Sequence, residues 1–193
     1  MPFLLGLLLA LPLVPAARSV GLAIGLVDHP RGDPLRVHPQ PVPFLGGVAV
    51  ITATIGAVFA SSGRMAPATL AAVVLALVVG SVDDRWSVPP LLRLLALLAA
   101  GAVVVLGGEA MWLPGPWSAV LTVLVVASCA NAVNMTDGQD GLAGGLAAFA
   151  AIALSLIAGR EGMPLGLALA GALSVFLLWN RPPARIFLGN GGA

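Results

Sequence analysis

Asn131, Asn134, Asp137 and Asp140 recur at every third position, with Gly138 and Gly141 among them and Gly144-Gly145 just beyond. If the stretch is helical, each oxygen-bearing side chain neighbours the next, and the glycines let a phosphate or a second backbone approach closely. Amide and carboxylate oxygens grouped in this way suit a hard cation that also carries phosphate ligands, since Mg²⁺ typically takes only one or two protein carboxylates. A second acidic group, Asp83-Asp84, is followed by Arg85. Adjacent carboxylates repel, and at the end of a helix they also meet the negative pole of its dipole. A positive partner is therefore expected, either Arg85 or a bound Mg²⁺.

Two further polar stretches complete the set. Leu35 to Pro43 places Arg36 and His38 among Pro39, Pro41 and Pro43, and the chain then enters an apolar run at Gly46-Gly47. Prolines this dense cannot continue a helix, so the stretch reads as a stiffened loop presenting both side chains. Asn180 to Ala193 carries Arg181, Arg185, Gly189, Asn190 and two more glycines. Its glycines suit a loop that approaches phosphate, although a frayed terminus would look the same.

The elements that must position these groups are apolar. Hydrophobic residues make up 59% of the 193 and charged residues 9%; mean hydropathy is +1.04, far from the roughly 25% charged residues of a soluble domain. Seven uncharged runs stand out: Phe3–Ala17, Phe44–Ala60, Ala66–Val82, Leu91–Leu106, Trp117–Ala132, Leu142–Ala158 and Met163–Trp179. A run of about 17 residues reaches roughly 25 Å as a helix, enough to cross a hydrocarbon core once interfacial residues are added. The first run contains Pro12 and Pro15 and gives way to Arg18. It reads as a shortened span followed by an interfacial helix to Val27, rather than as a cleaved signal peptide. The expected fold is an all-α, polytopic transmembrane bundle of about seven spans, forming one membrane domain over residues 1–193.

Alternation puts the loops after spans one, three, five and seven on one face. That face holds Arg18, Arg31, Arg36, Arg85, Arg93, Arg181 and Arg185, against Arg64 and Arg160 opposite. The positive-inside rule makes the first face cytoplasmic and the amino terminus external. Trp86, Trp112, Trp117 and Trp179 sit near span ends, where indole rings anchor at the headgroup level. Asp28, Asp33, Asp83, Asp84, Asp137 and Asp140 share the arginine-rich face, with only Glu109 and Glu161 opposite. Positive-inside says nothing of carboxylates, so this second bias points to metal and phosphate chemistry there, with loop solubility as the alternative. The single cysteine, Cys129, lies in an apolar run and excludes both an internal disulfide and a cysteine cluster for zinc. A transporter would show charges near mid-membrane, and the central stretches carry none clearly.

Taken together and in this order, the four stretches resemble the polyprenyl-phosphate N-acetylhexosamine-1-phosphate transferases. Asp28 to Gly47 is similar to that family's first cytoplasmic motif, with Arg36 where lysine is usual; Asp83-Asp84 is similar to its aspartate pair, and Asn131 to Gly145 to its asparagine-aspartate-glycine signature. The first loop is closer in form to the enzymes that use UDP-N-acetylglucosamine than to the peptidoglycan branch. Ala184 to Asn190 is similar to a motif whose last position is normally a metal-holding aspartate, here Asn190, with Gly191 and Ala193 following where serine is common. Family members are longer, with further spans and a later histidine-bearing loop, so the chain reads as the amino-terminal part of a longer fold.

The resemblance implies transfer of a sugar-1-phosphate from a UDP-N-acetylhexosamine to a polyprenyl phosphate, at the cytoplasmic face of a bacterial plasma membrane, with Mg²⁺ or Mn²⁺ as cofactor. It implies no nucleic-acid partner and leaves room for a homodimer. Asp83, Asp84, Asp137 and Asp140 are then the catalytic carboxylates, with Asp83, Asp137, Asp140 and Asn190 at the metal. Arg36, His38, Asn134, Arg185 and Gly189 are substrate contacts. Because a phosphate monoester is already largely dianionic near neutral pH, Asp83 and Asp84 are expected to bind metal or position groups rather than act as bases. The alternative is a catalytically impaired relative, a lipid- or nucleotide-binding scaffold or one half of a split enzyme, motivated by Asn190.

Overall fold

The computed structural model describes residues 1–29, 40–111 and 113–193. Arg31, Asp33, Arg36, His38 and Trp112 lie outside them. Among the described residues seven helices follow in chain order: α1 (Pro2–Ala23), α2 (Gly46–Ser62), α3 (Pro67–Trp86), α4 (Pro90–Leu106), α5 (Trp117–Thr136), α6 (Leu142–Ile157) and α7 (Gly159–Asn180). Four of them, α1, α3, α5 and most of α7, are long and apolar enough to cross a membrane, and α2, α4 and α6 are shorter apolar helices. The protein is an all-α, multi-pass membrane protein. Among the described residues the strands form a two-residue ladder, β1 (Val27–Asp28) antiparallel to β2 (Val42–Pro43), which pairs Val27 with Pro43 and Asp28 with Val42.

The first span departs from expectation. Instead of stopping near Ala17, α1 runs unbroken through Pro12 and Pro15 to Ala23. Prolines cost a helix one backbone hydrogen bond each, but α1 is closely packed where they fall. Ala10 and Val14 are fully buried. A side chain at Gly6 would run into the backbone of Ala168 on α7, and one at Gly171 into the backbone of Phe3. Small residues on both partners let the two backbones meet, which is how apolar helices associate where lipid removes the hydrophobic drive.

α1, α2, α6 and α7 pack as one group, and α3, α4 and α5 as another, with only slight contact between α5 and α6. The core of the first group contains Val14, Val50, Leu173 and Phe176, and also Ile186 and Leu188 from the segment after α7. That segment is therefore a packed part of the bundle rather than a frayed end. It also reaches the second group, as described next.

Candidate active site at the aspartate end

The site is built outward from Asn180, the last residue of α7. Its buried side chain accepts from the Gly141 N–H (2.9 Å) and donates to the Ile186 carbonyl (2.9 Å), tying the α5–α6 turn to the terminal segment. Asp140 accepts from the Ala184 N–H through Oδ2 (2.9 Å). Arg18 of α1 donates from Nε to the Arg185 carbonyl (3.1 Å). The Phe187 N–H donates to the Pro43 carbonyl (2.9 Å), and the Gly46 and Gly47 N–H groups donate to the Phe187 and Leu188 carbonyls (3.0 and 2.9 Å). Residues 184–188 thus lie along β2 and the start of α2, with alternate side chains Ile186 and Leu188 turned into the core.

A tight turn follows. Gly189 has φ +74°, a conformation glycine adopts without steric cost, and its carbonyl accepts from the Gly192 and Ala193 N–H groups (3.0 and 3.1 Å). The turn fits between two helices through their own glycines. A Cβ on Gly47 of α2 would collide with Gly192, and one on Gly80 of α3 with the Asn190 backbone. Asp84 closes the contact by accepting from the Asn190 N–H through Oδ1 (2.9 Å). This turn is the principal bridge between the two helical groups at this end of the molecule.

The paired aspartates separate at this point. Asp83 is buried, and both its oxygens are engaged: Oδ1 accepts from the Val88 N–H (2.6 Å) and Oδ2 from Arg93 Nη1 (2.8 Å). The compensating charge expected from Arg85 or a metal comes instead from Arg93, four residues into α4. Asp84 and Asp137 have no arginine partner among the described residues. Burial raises the Asp137 pKa to about 7, helped by the neighbouring Asp84 and Asp140 carboxylates and opposed by the Gly189 N–H. Asp137 thus shares with Asp84 a surplus of negative charge beneath the turn.

The row expected from Asn131 to Asp140 breaks in the middle. α5 ends at Thr136, whose Oγ1 donates back to the Val133 carbonyl (2.7 Å). Asp137 leaves helical geometry, and Gly141 (φ +79°) reverses the chain into α6. Asn134 remains on the helix and lines a small open cleft with Arg93, Asn190 and Ala193, between α3, α4 and α5. Asp137 and Asp140 face the terminal segment instead. Arg185 is exposed, engaged through its backbone with Trp179 and Arg18.

Two carboxylates without a cationic partner fit a divalent cation that draws its remaining ligands from phosphate oxygens and water. Among the described residues, no three His, Cys, Asp or Glu side chains are grouped to hold a metal by themselves. Sequence reasoning placed Arg93 only as one more arginine of its face, and gave Asn180 no role. The signal for Arg93 was an arginine in the first turn of an apolar helix, where the dipole disfavours a cation.

These features define a polytopic membrane protein whose acidic site is assembled at one end of the bundle by a glycine-rich segment after the last helix. The chain belongs to glycosyl transferase family 4, whose family model matches residues 66–193. It is 30% identical, over 99% of its length, to a Bacillus subtilis protein named probable undecaprenyl-phosphate N-acetylglucosaminyl 1-phosphate transferase, covering 58% of that protein. The decaprenyl-phosphate N-acetylglucosaminephosphotransferase of Mycobacterium tuberculosis is 31% identical over 73% of this chain and 40% of its own length. A phospho-N-acetylmuramoyl-pentapeptide-transferase of Synechococcus is 33% identical over 93% of this chain and 58% of its own. The chain thus spans between 40% and 58% of the length of these relatives.

Proposed function

We propose that the chain supplies the phosphate-handling half of a transferase that moves N-acetylhexosamine-1-phosphate from a UDP-sugar to a polyprenyl phosphate at the cytoplasmic face of a bacterial plasma membrane. An oxygen of the lipid phosphate attacks the sugar-bearing phosphorus of the UDP-sugar. A new P–O bond forms, the bond between the two phosphorus centres' bridging oxygen and that phosphorus breaks, and UMP leaves with the electron pair. Both reactants are anions, so the main requirement is neutralisation and alignment. Mg²⁺, or Mn²⁺ in its place, would supply positive charge at the diphosphate, held by Asp84 and Asp137.

The chain's own residues divide the rest. Arg93, fixed by Asp83, presents its remaining donors to the cleft, where Asn134 and the Asn190 amide also line the wall. These groups would take phosphate oxygens and the sugar amide. Asp140 acts through the backbone it holds at Ala184, and Gly189 through the turn. The observation that carries this reading is the meeting of Asp84, on the last turn of α3, with Asp137, just past the end of α5, beneath one glycine turn. The relatives' names, with N-acetylglucosamine-phosphate transfer to undecaprenyl or decaprenyl phosphate, point the same way.

A second reading is favoured by Asn190, which brings a neutral amide to the position where the resemblance expects a carboxylate. In it the chain binds lipid or nucleotide without turnover. Purified chain incubated with labelled UDP-N-acetylglucosamine, undecaprenyl phosphate and Mg²⁺ separates the two. Lipid-linked product and released UMP support the transferase, with Asn190→Asp raising the rate. Saturable UDP-sugar binding with no product from either version supports the scaffold.

A further inference from the structure

The side of α3 turned away from the cleft has a polar group of its own. Ala76, Val79 and Gly80 line the cleft; Val74, Val78, Ser81, Val82 and Arg85 lie about half a turn away around the helix axis, at i, i+4 and i+3 spacings that form one stripe. At the top of that stripe, Ser81, Arg85 and Trp86 line an open groove of about 300 Å³ with Ile24 and Leu26, which follow α1. Arg85 has no hydrogen-bond or ion-pair partner among the described residues. The two aspartates before it do not serve, because Asp83 is taken by Val88 and Arg93, and Asp84 turns to Asn190. Further along the stripe, Val82, Val78 and Val74 are 37%, 53% and 44% exposed. Among the described helices α3 packs chiefly on α4, and this side of it is not covered by them.

We propose that the groove holds an anionic phospholipid of the surrounding bilayer. Its phosphate rests on the Arg85 guanidinium and the Ser81 hydroxyl, the Trp86 indole sits at headgroup level, and one acyl chain follows Val82, Val78 and Val74. A guanidinium matches phosphate in charge and in donor geometry, and an exposed tryptophan beside it is placed as interfacial indoles are. The occupant is a bilayer phospholipid rather than an isoprenoid phosphate held for reaction, because Arg85 lies about half a turn around α3 from Ala76, Val79 and Gly80, the residues that line the cleft with Asn134; Ser81 marks the near edge of the groove, where its hydroxyl also faces Gly191 of the terminal turn. This proposal needs the chain only to be a membrane protein and stands apart from the transferase reading.

The test is native mass spectrometry of the full chain in detergent, with added phosphatidylglycerol or phosphatidylcholine. Wild type should retain phosphatidylglycerol in preference to phosphatidylcholine, and Arg85→Gln should reduce that preference about fivefold, the effect of one arginine near an anionic lipid. Arg64→Gln, at the other end of the bundle, should leave it unchanged. Equal retention of the two lipids by wild type, or an undiminished preference in Arg85→Gln, overturns the proposal. So does Arg85-dependent displacement of phosphatidylglycerol by undecaprenyl phosphate, which would assign the groove to the isoprenoid acceptor. Arg85 is exposed, and an unchanged melting temperature confirms that Arg85→Gln folds.

Discussion

Asp83 and Asp84 are chain neighbours on the last turn of α3, yet they serve two differently organised regions. Asp83 points into the α3–α4 turn, where the Val88 N–H and Arg93 satisfy it and its charge is closed off. Asp84 points beneath the terminal turn, where it meets the backbone N–H groups of Asn190 and Gly191 and the carboxylate of Asp137, with no protein cation among the described residues. Successive helix positions face about 100° apart, so a pair of identical letters divides into a structural clamp and a chemical group. An acidic pair in a sequence is therefore not yet a metal site. What decides is which carboxylate is left without a protein cation.

The largest expected effect bears on the open region. Asp84→Ala or Asp137→Ala should lower the transferase rate by about 10³-fold, the scale of losing one main electrostatic group, with the fold retained. Equal losses from Asp83→Asn would erase the distinction between the two regions. Next comes the turn itself. Gly80→Val forces side-chain atoms against the Asn190 backbone, and overpacking of this kind costs about 1–3 kcal/mol. A lowered melting temperature together with lost activity is the expected result; an unchanged one would mean that the turn does not seat there.

Asp83→Asn should act mainly on stability. It removes the charged partner of Arg93, whose side chain is 30% exposed, so the loss is partly relieved by solvent and should be about 1–2 kcal/mol. Thermal unfolding in detergent measures it, and a rise in stability would contradict the clamp. The smallest effect is in pH. Asp137 must release its proton to bind a cation, and its pKa stands at about 7. Mg²⁺ should therefore bind more tightly as pH rises from about 6 to about 8. Without metal the sign reverses: a carboxyl whose pKa is raised on folding stabilises the fold at low pH, and that contribution fades as pH rises towards 7. Asp137→Asn should flatten both trends in calorimetry.

Much of the architecture was legible before the structure, because uncharged runs of membrane length have few alternatives to a helix. α2, α4 and α6 begin and end within two residues of the expected runs. The failures have local causes. The prolines of α1 argued for a break, but the partners of Ala10 and Val14 are supplied by helices distant in sequence. The three-residue recurrence from Asn131 to Asp140 suggested one helical face, but α5 ends at Thr136 and Gly141, with φ +79°, turns the chain into α6. Asp28 contributed a strand pairing that two residues of sequence cannot signal. In the site, the partners of the expected residues could not be read from the sequence. Nothing local distinguishes Asp83 from Asp84, since Arg93 lies ten positions on and Asn190 lies 106 positions on.

Electron paramagnetic resonance of Mn²⁺ binding to the purified chain, in wild type, Asp83→Asn, Asp84→Asn, Asp137→Asn and the Asp84/Asp137 double variant, reads the division most directly. Shared coordination predicts that Asp84→Asn and Asp137→Asn each abolish the bound signal, that the double variant loses nothing more, and that Asp83→Asn retains it. Loss of the signal in Asp83→Asn with full binding in the other two single variants would contradict the account.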